Sequence, residues 1–227
     1  NASETRSASA QIECDVLVVG GGPAGSTAAT LLARKGWSVA IVERDRHPRF
    51  HIGESLLPMN LPIFERLGVL DRVNAIGVRK PGADFPAATP KGYNVFRFER
   101  ALNGTPAYAY QVRRQDFDQL LFNNAAAAGA RTFEETRVTA VEFGEQVLAR
   151  AEGPAGRPVE FSARYLVDAS GRDTLLGNRL HLKRKHGKHQ SAAIFAHFRG
   201  VEARTGEDEG NISVYRLAQG WVWMIPL

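Results

Sequence analysis

The stretch that most constrains this chain is a glycine-rich loop at residues 20–25, with the sequence Gly-Gly-Gly-Pro-Ala-Gly. Four apolar residues, 16–19, precede it and are typical of a buried parallel strand. Residues 26–36 follow as a helix-forming stretch that ends at a glycine, and residues 39–42 form a second apolar run. Strand, loop, helix and strand in this order predict a βαβ unit that binds a dinucleotide through the spacing Gly-x-Gly-x-x-Gly.

Three of the four glycines of this loop have separate expected roles. Gly20 permits a tight turn, Gly22 lets the backbone approach a pyrophosphate, and Gly25 lets the helix pack close to the strand. The helix N-terminus then offers free N–H groups and the positive end of its dipole to the diphosphate. Glu43 closes the second strand, where an acid accepts hydrogen bonds from a ribose hydroxyl. The alternative is a glycine-rich turn in an ordinary α/β domain.

Composition limits the class of protein. With 227 residues and 44% hydrophobic content, the chain can bury a sizeable core. The single cysteine, Cys14, excludes an intramolecular disulfide and a cysteine metal cluster, and it indicates a reducing compartment. No apolar run approaches the roughly 20 residues that span a bilayer, and the small polar residues 1–10 predict a disordered tail without a signal-peptide core. We therefore expect a cytoplasmic protein without a metal site or a membrane partner.

The net charge of +5 is partly concentrated in the basic run at residues 183–189. Such a run can attract nucleic acid or an acidic carrier. Neither a recognition-helix pattern nor regularly spaced aromatic residues accompany it, so a solvated loop is favoured and no nucleic-acid partner is expected.

The remaining patterns predict a chain that leaves the nucleotide-binding domain, builds a mostly antiparallel sheet and returns. Helices are predicted at residues 61–68 and 116–128, with a further helical turn ending near residue 77. Strands are predicted at residues 78–85, 93–98, 137–143, 147–151, 159–163, 165–168, 191–198, 212–217 and 221–225.

Three segments that could carry chemistry have two interpretations each, and a lysine has one. Arg114 opens the long helix, either as an ordinary helix start or as a contact to a cofactor phosphate or a flavin. Asp168 and Gly171 follow the strand at 165–168, either as a plain turn or as a second cofactor contact. Trp221 and Trp223 share one strand face, either as core residues or as a wall against a flat ring. Lys80 between a helix and a strand would by itself be an ordinary surface lysine.

Taken together, these motifs resemble those of the flavin-dependent halogenases, within the flavoprotein monooxygenases of the aromatic-hydroxylase type. Two segments are shared by many flavoproteins: the glycine loop with Glu43, and Arg114-x-x-Phe117-Asp118 with Asp168-Ala169-Ser170-Gly171. The more specific segments are Gly53-Glu54-Ser55-Leu56-Leu57-Pro58 and Trp221-x-Trp223-x-Ile225-Pro226. The tryptophan motif is similar to the signature that separates halogenases from hydroxylases. The segment at 53–58 resembles members that act on phenols, pyrroles or carrier-bound substrates more than the free-tryptophan enzymes.

The resemblance implies an FAD cofactor that a separate NAD(P)H-dependent flavin reductase supplies in reduced form. Oxygen and chloride or bromide then give hypohalous acid, which halogenates an electron-rich aromatic substrate, free or carrier-bound, in secondary metabolite biosynthesis. Lys80 lies where phenol-type members place the catalytic lysine that holds or activates this acid. Trp221, Trp223, Ile225 and Pro226 would keep the substrate away from the flavin, and residues 53–58 would form a strap between the flavin and lysine sites.

The resemblance also implies the domains and the cofactor contacts. We expect an α/β fold in which a Rossmann-like, three-layer FAD-binding domain of the glutathione-reductase type (residues 11–78 and 111–178) is interleaved with a substrate-side β-sheet region (79–110 and 179–227). The expected cofactor contacts are Gly20, Gly22, Pro23, Ala24, Gly25, Ser26, Glu43, Arg44, Gly53, Glu54, Ser55, Arg114, Val138, Asp168 and Gly171.

One departure leaves alternatives open. Family members continue past the tryptophan strand with a Gly-Asp-Ala flavin motif and a C-terminal substrate region, whereas this sequence stops at Leu227. A C-terminally truncated chain is therefore expected. The competing functions are an FAD-dependent hydroxylase or reductase of the same fold, and a non-catalytic truncated flavoprotein.

Overall fold

A computed structural model describes residues 11–86, 92–184 and 191–227. The chain folds into two compact units, each assembled from two separate segments. Unit 1 comprises Asn1–Phe50 and Gln115–His181, and unit 2 comprises His51–Arg114 and Leu182–Leu227. The predicted tail at 1–10 and most of the basic run at 183–189 lie outside the described residues.

Strands outnumber helices in the described parts of the chain. In chain order the helices are α1 (Pro23–Ala33), α2 (Leu61–Leu67), α3 (Leu70–Ile76), α4 (Arg114–Ala127) and α5 (Leu175–Arg179). The strands are β1 (Gln11–Val19), β2 (Val39–Val42), β3 (Gly77–Lys80), β4 (Gly82–Pro86), β5 (Tyr93–Arg97), β6 (Ala109–Val112), β7 (Arg131–Phe133), β8 (Arg137–Phe143), β9 (Val147–Glu152), β10 (Pro158–Asp168), β11 (Ile212–Leu217) and β12 (Gly220–Met224).

Unit 1 is built on a six-stranded sheet with the order β7-β2-β1-β10-β9-β8. The pairings from β7 to β10 are parallel, and those of β9 with β10 and β8 are antiparallel. Val18 packs in a cluster with residues of α1 and α4, whereas Leu17 packs with Phe161 on the opposite face. A strand buried on both faces needs apolar residues at every position, which explains the unbroken apolar run at residues 16–19.

Unit 2 contains a four-stranded sheet with the order β12-β11-β4-β5, and a separate antiparallel ladder of β3 with β6. Only β11 and β4 pair in parallel among the described strands of this unit. The predicted α/β architecture is therefore confirmed: unit 1 is Rossmann-like, and the strand pairing of unit 2 is mostly antiparallel. The predicted domain boundaries at residues 79, 111 and 179 stay a prediction.

Three predicted elements differ from the structure. The strand predicted at 78–85 divides at Pro81, because proline has no N–H to donate to a ladder, and its halves β3 and β4 join different sheets. The strands predicted at 159–163 and 165–168 are one continuous strand, β10, which pairs with β1 along almost its whole length. The strand predicted at 191–198 was wrong, since these residues are exposed and lie outside every helix and strand.

No helix within the described parts of the chain is long and apolar enough to cross a membrane.

Candidate cofactor loop and candidate catalytic lysine

The glycine loop in unit 1 lies where the carboxyl ends of β1 and β10 meet. Gly20 has a φ of +110°, and a Cβ atom there would stand 2.3 Å from the carbonyl oxygen of Ala169, which follows β10. A Cβ atom on Gly25 would stand 1.9 Å from the carbonyl oxygen of Gly20. Because β1 has β2 on one side and β10 on the other, this is the switch point of the sheet, where ligands bind in open α/β folds.

The N-terminus of α1 opens from this loop. Gly22 is the N-cap in an extended conformation and Pro23 follows at the first helical position. Within the described structure no side chain caps this terminus, and the first turn holds no acid. A Cβ atom on Gly22 would approach only the Arg49 guanidinium, at 3.6 Å. Backbone N–H groups and a positive dipole end are therefore available to an anion here.

Ser26 and Glu43 fix the shape of the loop from two sides. The buried Ser26 hydroxyl donates to the carbonyl oxygen of Gly21 at 3.0 Å. The Glu43 carboxylate, only 6% exposed, accepts the N–H of Gly21 at 2.8 Å and the N–H of Asp45 at 3.0 Å. Glu43 thus holds the backbone of the loop, and its expected contact with a ribose hydroxyl stays a prediction.

A buried ion cluster behind the loop was missed in the sequence analysis. One guanidinium nitrogen of Arg49 lies 3.2 Å from Glu43, and the other lies 3.2 Å from Asp118 on α4. The three side chains are 13%, 6% and 0% exposed in that order. Asp118 belongs to a recognised motif, but its pairing with Arg49, 69 positions away, leaves no mark in the local pattern. We call this group the Arg49 cluster.

Asp168 organises its own turn at the end of β10. Its carboxylate accepts the N–H and the hydroxyl of Ser170 at 3.1 and 2.5 Å, and the N–H of Leu176 at 2.7 Å. Burial by itself would raise the pKa of Asp168, but these hydrogen bonds outweigh it and hold the pKa below its usual value. The plain-turn interpretation thus describes what Asp168 does in the protein alone, and a cofactor contact remains a prediction.

The other residues expected to contact the cofactor in unit 1 lie in different environments. Gly171 has a φ of +63° in the turn that Asp168 organises. Arg44 pairs with Asp173 from the same turn, and both are about half exposed. Val138 packs into the hydrophobic core of the sheet, and its expected contact with the cofactor stays a prediction.

The strap at residues 53–58, in unit 2, is held by Arg114. The guanidinium of Arg114 donates to the carbonyl oxygen of Ile52 at 2.8 Å, and a Cβ atom on Gly53 would stand 2.9 Å from the same nitrogen. Gly53 has a φ of +109°, and its N–H donates to the Glu54 carboxylate at 2.8 Å. Arg114 therefore acts as a strap-binding residue in the protein alone.

Lys80 is not a surface residue. It ends β3, is only 2% exposed, and is among the largest fully buried side chains of the described chain. Its Nζ donates to the Ser55 hydroxyl at 2.8 Å and to the carbonyl oxygen of Leu56, and lies 5.4 Å from the centre of the Phe98 ring. Desolvation by burial lowers the pKa of Lys80 to about 8. A buried amine with a pKa near neutrality is characteristic of catalytic lysines.

The exposure of the tryptophan motif argues against the first of its two interpretations, that of core residues. Trp221 and Trp223 lie on β12, opposite Arg216 and Val214 of β11, and they are 63% and 50% exposed. Their position on one face of an outer strand leaves the flat-ring interpretation as a prediction. Ile225 and Pro226 follow the strand and are half-buried.

The Arg49 cluster gives a testable contribution to stability. Replacing Arg49 with Met leaves the Glu43 and Asp118 carboxylates buried together without a counter-charge, so we expect a loss of about 3–5 kcal/mol in the free energy of unfolding. Urea denaturation of the folded chain measures it. Arg150→Met is the matched control: this arginine is 59% exposed beside Glu142, and its loss should cost below about 1 kcal/mol. Equal effects of the two substitutions would contradict a structural role for the cluster.

Comparisons with known proteins give named relatives and a solved structure of the same fold. A 1H-pyrrole-2-carbonyl peptidyl-carrier-protein chlorinase of Pseudomonas fluorescens is 31% identical over 94% of this chain and 53% of its own length. A tryptophan 2-halogenase of Chondromyces crocatus is 37% identical over 93% of this chain and 41% of its own length. The solved myxobacterial chondrochloren halogenase CndH superposes with a TM-score of 0.80, at 31% identity, over 95% of this chain and 50% of that one.

The chain thus spans about half the length of the relatives that it matches. The resemblance to flavin-dependent halogenases is confirmed by these names and this structure. The model of the FAD binding domain family matches residues 13–226, and the chain belongs to that family.

Proposed function

We propose that this chain belongs to an FAD-dependent halogenase in which Lys80 directs hypohalous acid onto an electron-rich aromatic ring. The observation that carries the proposal is the buried Lys80 amine, tied to the strap by two hydrogen bonds. The halogenase names of the relatives and the fold of CndH support it.

The glycine loop of unit 1 would hold the ADP portion of FAD. The uncapped N-terminus of α1 and the absence of a side chain on Gly22 suit a diphosphate, with Pro23, Ala24 and Ser26 in the first turn. Gly20 and Gly25 have no room for a Cβ atom and keep the loop against β10. The contacts of Arg44, Val138, Asp168 and Gly171 in unit 1, and of Gly53, Glu54 and Arg114 in unit 2, remain part of this proposal.

Lys80 would act through the one Nζ position that the strap does not use. When bound in its reduced form, FAD supplies the two electrons with which oxygen and a halide ion yield hypohalous acid and water. An ammonium N–H of Lys80 donates to the oxygen of that acid and makes its halogen more electrophilic. The aromatic carbon gains the halogen and loses its proton, and the oxygen leaves as water.

The names of the relatives support a proposal for the substrate class. The relatives are named for pyrrole and tryptophan substrates, one of them bound to a carrier protein. We therefore propose an electron-rich aromatic substrate, with phenol, pyrrole or carrier-bound compounds favoured by the strap sequence. A separate flavin reductase, chloride or bromide as the co-substrate, and a cytoplasmic location complete the proposal.

The shape of the glycine loop predicts that FAD binding depends on Gly25. Gly25→Ala brings a methyl group within 1.9 Å of the Gly20 carbonyl oxygen, so the loop must shift away from its anion-binding shape. We expect the dissociation constant of FAD to rise at least about tenfold in a fluorescence titration. Gly144→Ala is the matched control, because its methyl group would meet nothing closer than 3.8 Å. Unchanged FAD binding by Gly25→Ala would contradict the proposed position of the diphosphate.

The role proposed for Lys80 predicts that its replacement lowers halogenation but not flavin oxidation. In the full-length protein with reduced FAD, oxygen and chloride, Lys80→Met should lower aromatic chlorination by about a hundredfold or more and leave flavin oxidation intact. Lys35→Met, which removes an exposed lysine, should change neither rate. Wild-type chlorination by Lys80→Met would overturn the role of Lys80. Oxygenation of the substrate without halide would indicate a hydroxylase instead.

Burial of Lys80 also predicts a pH dependence of stability. Its pKa is about 8 in the folded chain, below the 10.5 of an exposed lysine. Between these values the unfolded chain binds more protons than the folded one, so the free energy of unfolding rises with pH. We expect the difference in this free energy between wild type and Lys80→Met to shift in favour of the wild type from about pH 8 to pH 10.5. A difference that stays flat over this range would show that Lys80 is solvated.

A further inference from the structure

We propose that Ser55 is the positioning residue of Lys80: its hydroxyl and the carbonyl oxygen of Leu56 form a two-acceptor clamp that leaves a single Nζ position for the ligand. The inference rests on the proposed function, because it gives the orientation of the group that would do the chemistry there. It assigns to Ser55 a contact within the protein, where the family resemblance implied a contact to the cofactor.

The strap is docked beside Lys80 independently of the Ser55 side chain. The N–H of Leu56 donates to the carbonyl oxygen of Tyr110 at 3.0 Å, and the N–H of Val112 donates to the carbonyl oxygen of Glu54 at 2.9 Å. An isolated antiparallel bridge joins Ser55 to Gln111 between them. The strap therefore lies along β6 as a short extra strand, and removal of the hydroxyl does not release it.

Lys80 reaches the strap from the other side of β6. It pairs with Ala109 across the ladder of β3 and β6, and directly opposed residues of an antiparallel pair project from the same face. Ala109 is fully buried and has the smallest side chain with a Cβ atom, so it leaves room for the lysine stem. The stem crosses the ladder there, and Nζ meets the Ser55 hydroxyl at 2.8 Å.

The Lys80 Nζ is tetrahedral and carries the side-chain stem at one of its four positions. The clamp occupies two of the other three. An ammonium has three N–H donors, of which Ser55 and Leu56 accept two. Below the pKa of Lys80 the remaining position is an N–H donor, and above it the same position is a lone pair. The clamp therefore fixes a single direction from which an oxygen acceptor can be held, and it favours the charged form that donates more strongly.

The other titratable groups around Lys80 are engaged elsewhere. On the strap, the Glu54 carboxylate accepts the N–H of Gly53 and lies 4.0 Å from His197. On β6, the Tyr110 hydroxyl donates to Asn74. On β3, the Arg79 guanidinium lies over the ring of Tyr108. The cause that lowers the pKa of Lys80 is therefore desolvation by burial.

The test replaces the hydroxyl and follows the titration of Lys80. In the full-length protein, the pH midpoint of Lys80 is obtained from the unfolding free energies with and without Lys80→Met, in both the Ser55 and Ser55→Ala backgrounds. We expect Ser55→Ala to move this midpoint down by about one pH unit, because the ammonium loses an acceptor. The kcat of halogenation should fall about tenfold, with FAD affinity, flavin oxidation and the KM for the aromatic substrate unchanged.

Two variants separate the clamp from a general effect on packing. Ser55→Thr keeps the hydroxyl and should restore both the midpoint and kcat. Ser213→Ala, which removes a hydroxyl buried on β11 of the same unit, should leave both at wild-type values. Weaker FAD binding by Ser55→Ala with an unchanged Lys80 midpoint would overturn the proposal and make Ser55 a cofactor contact.

The pH midpoint of Lys80 is measured independently of any halogenation at Lys80. If Lys80→Met halogenates normally, the proposed function fails, while a lowered midpoint in Ser55→Ala still establishes the clamp. If the midpoint stays at its wild-type value in Ser55→Ala, the clamp is refuted whatever the activity of Lys80→Met.

Discussion

The close approach of two backbones, at Gly20 and at Ala169, is the constraint on which the nucleotide-binding unit depends. The Gly20 turn fits against the end of β10 because no side chain stands between them. The same turn brings α1 back over the sheet, where Gly25 meets the Gly20 carbonyl oxygen with no space for a methyl group. Buried polar groups must find partners in such a tight structure, and Ser26 and Glu43 provide them from opposite sides of the loop.

Local patterns in the sequence predicted the first unit well. The βαβ motif, the helix at 116–128 and the hairpin strands β8 and β9 have strong periodicity or clear turn residues, and all are present. The Arg49 cluster could not be predicted, because it depends on which loop arginine meets which helix acid. The prediction of a strand at 191–198 was wrong because a local pattern was present without a partner strand. Its apolar residues gave a strand pattern, but these residues join no sheet among the described parts of the chain.

The lysine site, like the Arg49 cluster, could not be predicted from the local sequence pattern. The position of Lys80 came from a family resemblance, and its spacing alone indicated an ordinary surface residue. Its burial depends on Ala109 across the ladder and on a strap docked along β6, and neither is visible from the residues next to Lys80. The Ser55 hydroxyl likewise could be assigned to the lysine only once the chain had brought β3, β6 and the strap together.

The lysine site and the glycine loop also differ in how far apart in the sequence their residues lie. The strap, Lys80, Phe98 and the β6 residues beside them all come from within the single segment His51–Arg114. The glycine loop reaches its shape only when β1 pairs with β10, about 150 residues later, and such non-local pairing slows folding. During synthesis the lysine site has all of its parts early, whereas the nucleotide loop must wait for β10 to leave the ribosome. The loop at residues 20–25, although near the beginning of the chain, is therefore among the last parts of its unit to become ordered.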